Sequence, residues 1–224
     1  MHDEGSDRVQ RTSTGTGASV NANDAIEAGV TRYDAGLVNL ARAGDVTAFA
    51  RLFDTYHGPI TGYLYRLTGD RDAADDLAQE TFIKALRALP ATDSDLHFRP
   101  WLYRIATNTA NSWHRRRRLL TWLPLPSLDR GSDAEPGADP QLAEQAGERD
   151  QVHTALRTIG RTHASILLLR HHQRLTLEET AEALGVAPNT AKVRLYRARK
   201  AFVAAYSALD TPTNSNDLPG KDQR

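Results

Sequence analysis

The chain has 224 residues, with 28 basic side chains, 28 acidic side chains and no cysteine. This composition excludes disulfides and thiolate metal sites, and the balanced charge gives no general indication of a nucleic-acid partner. Hydrophobic residues make up 40% and charged residues 25%, as in a globular protein, and at this length we expect two small domains. Because the N-terminal segment lacks the apolar core of a signal peptide and the longest aliphatic run spans only Ile166 to Leu169, we expect a cytoplasmic protein with no membrane insertion.

Residues 1–36 contain few large apolar side chains, which predicts a disordered N-terminal extension. Helical periodicity becomes strong after Asp45, a residue suited to capping a helix N-terminus. The pair Gly58-Pro59 predicts a break in this helix, because proline cannot donate the backbone hydrogen bond that a helix interior requires. We expect a second helix to continue from there to Gly69.

Two further helices complete the predicted N-terminal domain, residues 37–118. The third helix begins after Asp70, ends at Pro90 and places Leu86 among its buried positions. The fourth helix covers about residues 97–118. The sequence therefore predicts a compact bundle of four helices.

The remaining sequence divides into three parts. Residues 119–141 are acidic, contain Pro and Gly and lack apolar periodicity, which predicts a flexible linker. Periodicity returns in residues 142–206, the predicted C-terminal domain, and residues 207–224 have the composition of a disordered tail. We therefore expect an all-α protein, with two small helical domains joined by the linker.

A short capped helix, a glycine turn and a second helix give the sharpest local signal. Thr176 and Glu179 form a capping box, Gly185 ends the helix, and Pro188 suits the first turn of the next one. This layout is that of a helix-turn-helix, whose second helix enters the major groove of DNA. Its exposed positions carry mostly basic and amide donors, as contacts with phosphates and guanine require. We call these positions the recognition-helix face: Asn189, Thr190, Lys192, Arg194, Tyr196 and Arg197. The alternative is a helical hairpin whose basic surface is merely solvated.

The predicted fourth helix is the second basic element. Residues 97–118 include six arginines and no carboxylate, and Asn108 and Asn111 lie near the arginine run at the end of the helix. Upstream, Trp101 and Tyr103 offer rings on which unpaired bases could stack. The alternative is that the arginines only complement the helix dipole at a solvated C-terminus.

The predicted third helix carries the opposite charge, with five carboxylates and a single arginine in residues 70–80. At 3.6 residues per turn, four of its polar side chains share one exposed side. We call these side chains the acidic face: Asp72, Asp76, Gln79 and Glu80. A solvated surface is the ordinary interpretation of such a face, and a docking site for a basic protein partner is the alternative.

The histidines form no metal or catalytic motif. His171 and His172 are adjacent, so they point in different directions on a helix, and neither has an Asp or Glu three or four residues further on. The sequence also lacks a phosphate-binding glycine loop, a nucleophile elbow and a zinc-protease helix. We therefore expect no catalytic residue, no metal, no cofactor and no enzymatic activity.

Four segments together resemble the extracytoplasmic-function sigma factors of the sigma-70 family, in the order and with the spacing that this family shows. The segments are Asp72–Phe82 (DAADDLAQETF), Arg99–Asn108 (RPWLYRIATN), Leu175–Gly185 (LTLEETAEALG) and Thr190–Lys200 (TAKVRLYRARK). The resemblance covers about residues 37–206. It implies that residues 37–118 form sigma domain 2 and that residues 142–206 form sigma domain 4.

The resemblance also implies a function: binding core RNA polymerase and promoter DNA to direct transcription initiation. The acidic face would dock on the clamp of the largest polymerase subunit, and domain 4 on the flap of the second-largest subunit. The fourth helix would bind the unpaired minus-ten strand, and the recognition-helix face would read the minus-thirty-five element. We call the minus-ten set the Asn/Arg face: Arg99, Arg104, Asn108, Asn111 and Arg115. An anti-sigma factor is the implied inhibitor.

Two other classes of protein stay open at this point. A free-standing helix-turn-helix regulator would use its N-terminal helices as a sensor or dimerisation domain. An enzyme with an appended DNA-binding domain would need a convergent catalytic set, which the sequence lacks. The acidic face combined with the Asn/Arg face favours a sigma factor, since a regulator needs neither a polymerase site nor a single-strand reader.

Overall fold

A computed structural model describes residues 34–120 and 150–210, and within these ranges the chain forms helices and turns but no strand. The N-terminal group contains α1 (34–42), α2 (Val46–Thr68), α3 (Arg71–Ala88), a 3-10 turn (Leu89–Ala91) and α4 (Phe98–Leu120). The C-terminal group contains α5 (150–158), α6 (Arg161–Leu167), a π turn (Leu168–His172), α7 (Leu177–Leu184) and α8 (Pro188–Asp210). The predicted all-α fold is confirmed.

Three helix ends extend beyond the predicted domain limits. Residues 34–36, predicted to be disordered, belong to α1, because Leu37 and Val38 are buried and the Asp34 carboxylate accepts a hydrogen bond from the Tyr56 hydroxyl. Residues 119–120, predicted to begin the linker, end α4, and residues 207–210, predicted to begin the tail, end α8. Neither residues 119–120 nor residues 207–210 contain a proline or glycine that would stop the helix earlier. The rest of the extension, linker and tail lies outside the described residues.

Helix α2 continues through Pro59, so the predicted break at this residue is wrong. A proline in a helix interior costs about 3 kcal/mol, because one backbone hydrogen bond is lost. The buried stripe of α2 stays in phase on both sides of the proline, and Leu52, Ile60 and Leu64 are completely buried. Since each such side chain contributes about 1.5 to 3 kcal/mol, packing outweighs the local penalty.

Helix α2 is capped at both of its ends. The Asp45 carboxylate accepts hydrogen bonds from the amides of Thr47 (2.8 Å) and Ala48 (3.0 Å) and so caps the start of α2 as predicted. At the other end Gly69 has a positive φ of 71° and donates its N–H to the carbonyl of Tyr65 at 2.7 Å. The αL conformation, which favours glycine, reverses the chain directly into α3.

Helix α3 buries one side and exposes the other. Its buried stripe runs through Ala78, Phe82, Ala85 and on to Leu89. Leu86, predicted to be buried, is 49% exposed, because it lies one position past this stripe, on the next face of the helix. The prediction for Leu86 is therefore wrong.

Helix α4 is held against α2 by a buried hydroxyl network. The rings of Tyr63 and Tyr103 meet edge to face, with centroids 5.3 Å apart. The Thr107 hydroxyl donates to the Tyr103 carbonyl at 2.7 Å, so the Tyr63 hydroxyl is the donor in its 2.8 Å bond to Thr107 Oγ1. Burial raises the pKa of Tyr63 to about 12, and the hydroxyl therefore keeps the proton that it donates.

The C-terminal group contains the predicted helix-turn-helix. The Thr176 hydroxyl accepts from the Glu179 amide at 3.1 Å and the Glu179 carboxylate accepts from the Thr176 amide at 2.7 Å, which confirms the capping box. Gly185 ends α7 with a positive φ of 64°, and α8 begins at Pro188. Ala191 is completely buried beneath the turn, so the outer side of α8 is left to face solvent.

The two groups of helices pack directly on one another. Helix α7 lies against α4, and the buried apolar side chains of both groups form one continuous cluster. Gln173, in the loop before α7, is buried between the groups and hydrogen-bonds to Tyr103. The DNA-binding segments predicted from sequence are therefore neighbours in space.

Candidate nucleic-acid and protein interfaces

The acidic face lies along the outer side of α3. Asp72, Asp76 and Gln79 are exposed, and Glu80 is partly exposed. The Asp70 carboxylate accepts from the Ala73 amide at 3.0 Å and so fixes the start of the helix from which the face projects. The structure therefore places all four predicted side chains on one accessible side.

Glu80 differs from the other members because it forms ion pairs within the protein. Its carboxylate oxygens lie 2.7 Å from Lys84 Nζ and 3.7 Å from the Arg116 guanidinium. Lys84 also donates to the Thr109 hydroxyl at 3.1 Å, so the pair connects α3 to α4. Exposed pairs of this kind contribute little stability, and their effect here is to set the position of Glu80.

Two apolar side chains extend the acidic face beyond the predicted set. Ile83 and Leu86 are 50% and 49% exposed, and they follow Gln79 at intervals of four and three residues. Asp72, Asp76, Gln79, Ile83 and Leu86 therefore form one continuous stripe along α3. The same periodicity that defined the acidic face could have identified both residues, but Leu86 was assigned to the core because it is apolar, and Ile83 was not assigned to either side.

Four members of the Asn/Arg face form a second stripe, along α4. Arg104, Asn108, Asn111 and Arg115 are all exposed and follow one another at intervals of four, three and four residues. The opposite side of α4 is buried on α2 and α3. The amide and guanidinium donors therefore face outward together.

Arg99 is set apart from the other members of the Asn/Arg face. It is half-buried, and its guanidinium donates to the backbone carbonyl of Gln173. It also lies near the buried Asp34, which is paired with Tyr56. Four of the five predicted minus-ten residues therefore lie on an open surface. The fifth, Arg99, is hydrogen-bonded within the protein.

The aromatic side chains near the Asn/Arg face differ from the prediction. Tyr103, predicted as a stacking surface, is buried against Tyr63 and cannot receive a base. Trp101 is half-buried, with its ring 5.7 Å from that of Phe98. Trp113 is partly exposed one turn before Arg117, whose guanidinium lies 5.1 Å from its ring centroid. At 3.6 residues per turn Trp113 lies on the opposite side of α4 from Asn108 and Arg115, and it packs against the core.

The recognition-helix face projects from the first half of α8. Asn189, Thr190, Lys192, Tyr196 and Arg197 are exposed, and Arg194 is half-buried. Val193, which was not predicted, is 50% exposed in the middle of this face. An exposed valine among basic side chains can contact the methyl group of thymine, so it adds an apolar element to the donor set.

The histidines do not converge on a site in the part of the chain that the structure describes. No group of three or more His, Cys, Asp or Glu side chains is placed there to hold a metal ion. Burial and nearby arginines lower the pKa of His171, whose Nε2 accepts from the Arg199 guanidinium at 3.3 Å. None of the helices in residues 34–120 and 150–210 is long and apolar enough to cross a membrane.

Two family models match the parts of the chain that carry these surfaces. Residues 52–119 match the family model "Sigma-70 region 2", and residues 149–202 match the model "Sigma-70, region 4". The first match contains the acidic and Asn/Arg faces, and the second contains the helix-turn-helix. The chain belongs to the sigma-70 family.

Similar proteins place this sigma factor in the extracytoplasmic-function group. It is 35% identical over 188 residues to the RNA polymerase sigma-H factor of Pseudomonas aeruginosa, covering 79% of this chain and 95% of that protein. It is 32% identical over 148 residues to the sigma factor YlaC of Bacillus subtilis, covering 66% and 86%. A sigma factor of the extracytoplasmic-function group, SigW of Bacillus subtilis, is 29% identical over 177 residues. These relatives favour a sigma factor over the free-standing regulator.

Solved structures show the same fold as this sigma factor. CnrH, in complex with the cytosolic domain of CnrY, has a TM-score of 0.59 and 24% identity, covering 79% of this chain and 98% of that one. RpoE of Bartonella quintana, in complex with the anti-sigma factor NepR, has a TM-score of 0.55 and 20% identity, covering 72% and 98%. At these identities the similarity concerns the fold.

The buried Asp34 beside Arg99 gives this sigma factor a pH-dependent contribution to stability. Burial raises the pKa of Asp34 above its ordinary value, while the Tyr56 hydrogen bond and the charge of Arg99 act in the opposite direction. The folded state therefore holds this proton more tightly than the unfolded chain does. The stabilising contribution is complete below the ordinary pKa of aspartate and is lost as the pH rises through the pKa of the folded state.

We predict that Asp34→Asn removes this loss of folding stability at higher pH. Relative to the parent protein, the free energy of unfolding of the variant should improve between about pH 4 and pH 7, because asparagine has no proton to release. Urea denaturation at the two pH values measures the difference. Asp54→Asn, at an exposed position of α2, is the control. An equal difference between variant and parent at both pH values would contradict the prediction.

Proposed function

We propose that this sigma factor uses its three exposed faces for three separate contacts during promoter recognition. The acidic face binds core RNA polymerase, the Asn/Arg face binds the unpaired minus-ten strand, and the recognition-helix face reads the minus-thirty-five element. The observation that carries this proposal is the exposure of an acidic stripe on α3 and a basic stripe on the adjacent α4. Opposite charges on neighbouring helices suit one protein partner and one nucleic-acid partner.

The polymerase contact includes apolar surface as well as charge. Asp72 and Asp76 would attract a basic helix of the clamp and orient it. Ile83 and Leu86, on the same stripe, would supply the apolar area that stabilises the docked complex. The flap of the second-largest subunit is the proposed contact of the C-terminal helices.

The minus-ten contact requires bases that have left the DNA stack. Unstacking and unpairing a base costs a few kcal/mol, and stacking on an aromatic ring returns about 1 to 3 kcal/mol per base. Asn108 and Asn111 supply hydrogen bonds to bases, and Arg115 supplies a phosphate contact. These side chains lie within two turns of α4, so a single short strand can reach them all.

The minus-thirty-five contact follows the geometry of a helix-turn-helix. Helix α8 would lie in the major groove, with Asn189 and Thr190 near its N-terminal end and Lys192 and Arg197 along its exposed side. Basic side chains would contact phosphates and guanine, and Val193 would contact a thymine methyl group.

The proposed function also assigns the helices to two sigma domains, places the protein in the cell and names the class of its inhibitor. We assign helices α1 to α4 to sigma domain 2 and helices α5 to α8 to sigma domain 4, joined by residues 121–149. The protein acts in the cytoplasm, where its polymerase is found, and has no enzymatic activity of its own. An anti-sigma factor inhibits it, as the family resemblance implies.

We predict that the protein with core RNA polymerase initiates transcription at a specific promoter. Run-off transcription over a pool of genomic promoter fragments measures this, with core polymerase alone as the control. Binding to duplex DNA without a transcript from any fragment would overturn the proposed function and favour a free-standing regulator.

We predict that Asp76→Arg weakens core binding about tenfold or more, which is at least about 1.4 kcal/mol, because it reverses a charge in the centre of the acidic face. Affinity is measured by titrating labelled protein with core polymerase at low salt, where surface charges are least screened. Asp54→Arg makes the same change on the exposed side of α2 and should bind like the parent. Circular dichroism checks the fold of both variants. Unchanged affinity of Asp76→Arg would remove the clamp assignment.

We predict that Arg197→Ala costs about 1 to 3 kcal/mol of binding to the correct minus-thirty-five sequence, through loss of a bidentate contact with guanine. Fluorescence anisotropy on the promoter and on a base-substituted promoter measures the loss and its specificity. Arg199→Ala is the matched control, since Arg199 lies on the same helix but contacts His171. An equal loss on all sequences with a smaller salt dependence would make Arg197 a phosphate contact instead.

A further inference from the structure

An open cleft lies beside the turn from α2 to α3 and is lined by arginines from five different helices. Its volume is about 1590 Å³, which is larger than the ~300 to 1,000 Å³ of an ordinary small-molecule site. The cleft borders the acidic face at Asp72 and the Asn/Arg face at Asn111. Each helix from α2 to α6 contributes one guanidinium: Arg66, Arg71, Arg117, Arg157 and Arg161. We call the space that these five side chains line the arginine cleft.

Positive charge exceeds negative charge in the arginine cleft. Three carboxylates also line it: Asp70, Asp72 and Asp150. Asp70 is already used within the protein, because its carboxylate caps α3 and lies 3.6 Å from an Arg117 nitrogen. In the part of the chain that the structure describes, no carboxylate lies within ion-pair distance of Arg157 or Arg161. The cleft therefore holds positive charge that its own carboxylates do not neutralise.

Two arginines of the cleft are held in position by contacts with α2 and its C-terminal turn. Arg66 Nη1 donates to the Gly62 carbonyl at 3.0 Å, which uses one of the five N–H groups of that guanidinium. Arg157 lies on the turn at Gly69, since a Cβ built on this glycine would be 3.5 Å from Arg157 Nη1. Guanidinium groups that are already placed lose less conformational freedom when an anion binds.

His114 lies in the arginine cleft and responds to its positive charge. Its Nε2 donates to the Leu67 carbonyl at 3.3 Å. Burial lowers the pKa of His114, and the charges of Arg161 and Arg117 lower it further. An anion bound between these arginines would offset their charges and raise the pKa of His114 again.

We propose that the arginine cleft is a binding site for an anion that carries several linked phosphate groups, either the phosphate chain of a nucleotide or inorganic polyphosphate. The planar fork of a guanidinium matches two phosphate oxygens at once, and such charge-assisted bonds are stronger than neutral ones. A single phosphate is small beside a cleft of this volume, so linked phosphates are needed to contact guanidinium groups on different walls. The site requires neither polymerase nor promoter and therefore does not depend on the proposed function.

Binding is measured by isothermal titration calorimetry on the full chain at low salt, where charges are least screened. The probes are inorganic tripolyphosphate and guanosine triphosphate, each without a divalent metal. We expect one molecule of either probe to bind per chain, and orthophosphate to bind at least about tenfold more weakly, because it reaches fewer guanidinium groups. Tighter binding of guanosine triphosphate would identify a nucleotide as the ligand, and equal binding would identify the phosphate chain alone. If neither probe binds, the proposal is wrong.

Substitution of two cleft arginines tests where the anion binds. Arg157→Gln with Arg161→Gln should weaken tripolyphosphate binding about tenfold or more, because two charged donors are lost. The matched control is Arg51→Gln with Arg87→Gln, which removes two exposed arginines outside the cleft and should bind like the parent. Circular dichroism checks the fold of both proteins. An equal loss in both would mean that the anion follows overall charge, and the site would be rejected.

The ring of His114 locates the bound anion in the parent protein, without any substitution. In an NMR pH titration, saturating tripolyphosphate should raise the pKa of His114, because the anion offsets the charges of Arg117 and Arg161. The pKa of His171, which lies outside the cleft, should stay the same. An unchanged pKa of His114 would place the anion elsewhere and contradict the proposal.

Competition with a single-stranded decanucleotide separates a small-anion site from a groove for nucleic acid. We expect the strand to bind the Arg157→Gln, Arg161→Gln protein as tightly as the parent, because Asn108 and Arg115 lie outside the cleft. If the strand displaces tripolyphosphate at a lower phosphate concentration, and the double substitution abolishes this displacement, the cleft binds nucleic acid and the proposal is wrong. Only this expectation uses the proposed function, and the anion titrations test the site whether or not that function holds.

Discussion

Helix α4 must be buried on most of its surface while one narrow stripe stays open, and the rest of the molecule is arranged around this constraint. On its inner side Tyr63 donates to Thr107, and Thr107 donates to the carbonyl of Tyr103. A buried hydroxyl left without a partner would cost about 1 to 3 kcal/mol, so this network fixes the rotation of α4 about its axis. The stripe from Arg104 to Arg115 faces outward for that reason.

Although the acidic and basic side chains of the chain balance, two neighbouring helices carry opposite local charge. Helix α3 carries the acidic face and α4 the Asn/Arg face, and Glu80 joins them through Lys84 and Arg116. The exposed ion pairs contribute little stability, and the packing of α3 on α4 fixes the relation of the two stripes. Under the proposed function, the position of the captured strand relative to the polymerase would be set within this one pair of helices.

Sequence periodicity and capping rules predicted the local structure well. The caps at Asp45 and Thr176 and the turn at Gly185 are confirmed, because such features depend on a few adjacent residues. The break at Pro59 was wrong because burial on both sides of the proline outweighs its local cost, and the burial of Leu86 was wrong because an apolar side chain was assumed to face the core. The family resemblance implied the site residues, but the covering of Arg99 depends on tertiary contacts that no local pattern encodes.

The hydroxyl network inside the N-terminal group and the contact between the groups are parts of one chain of hydrogen bonds. Tyr103 receives a bond from Thr107 at its carbonyl and donates its own hydroxyl to Gln173. The two contacts therefore use different atoms of Tyr103, its carbonyl within the N-terminal group and its hydroxyl toward the C-terminal group. The bonds that set the rotation of α4 join Tyr63, Thr107 and Tyr103, so the N-terminal group itself fixes the direction of the Asn/Arg face. The buried apolar side chains of the two groups also form one continuous cluster, so the contact between the groups combines polar and apolar burial.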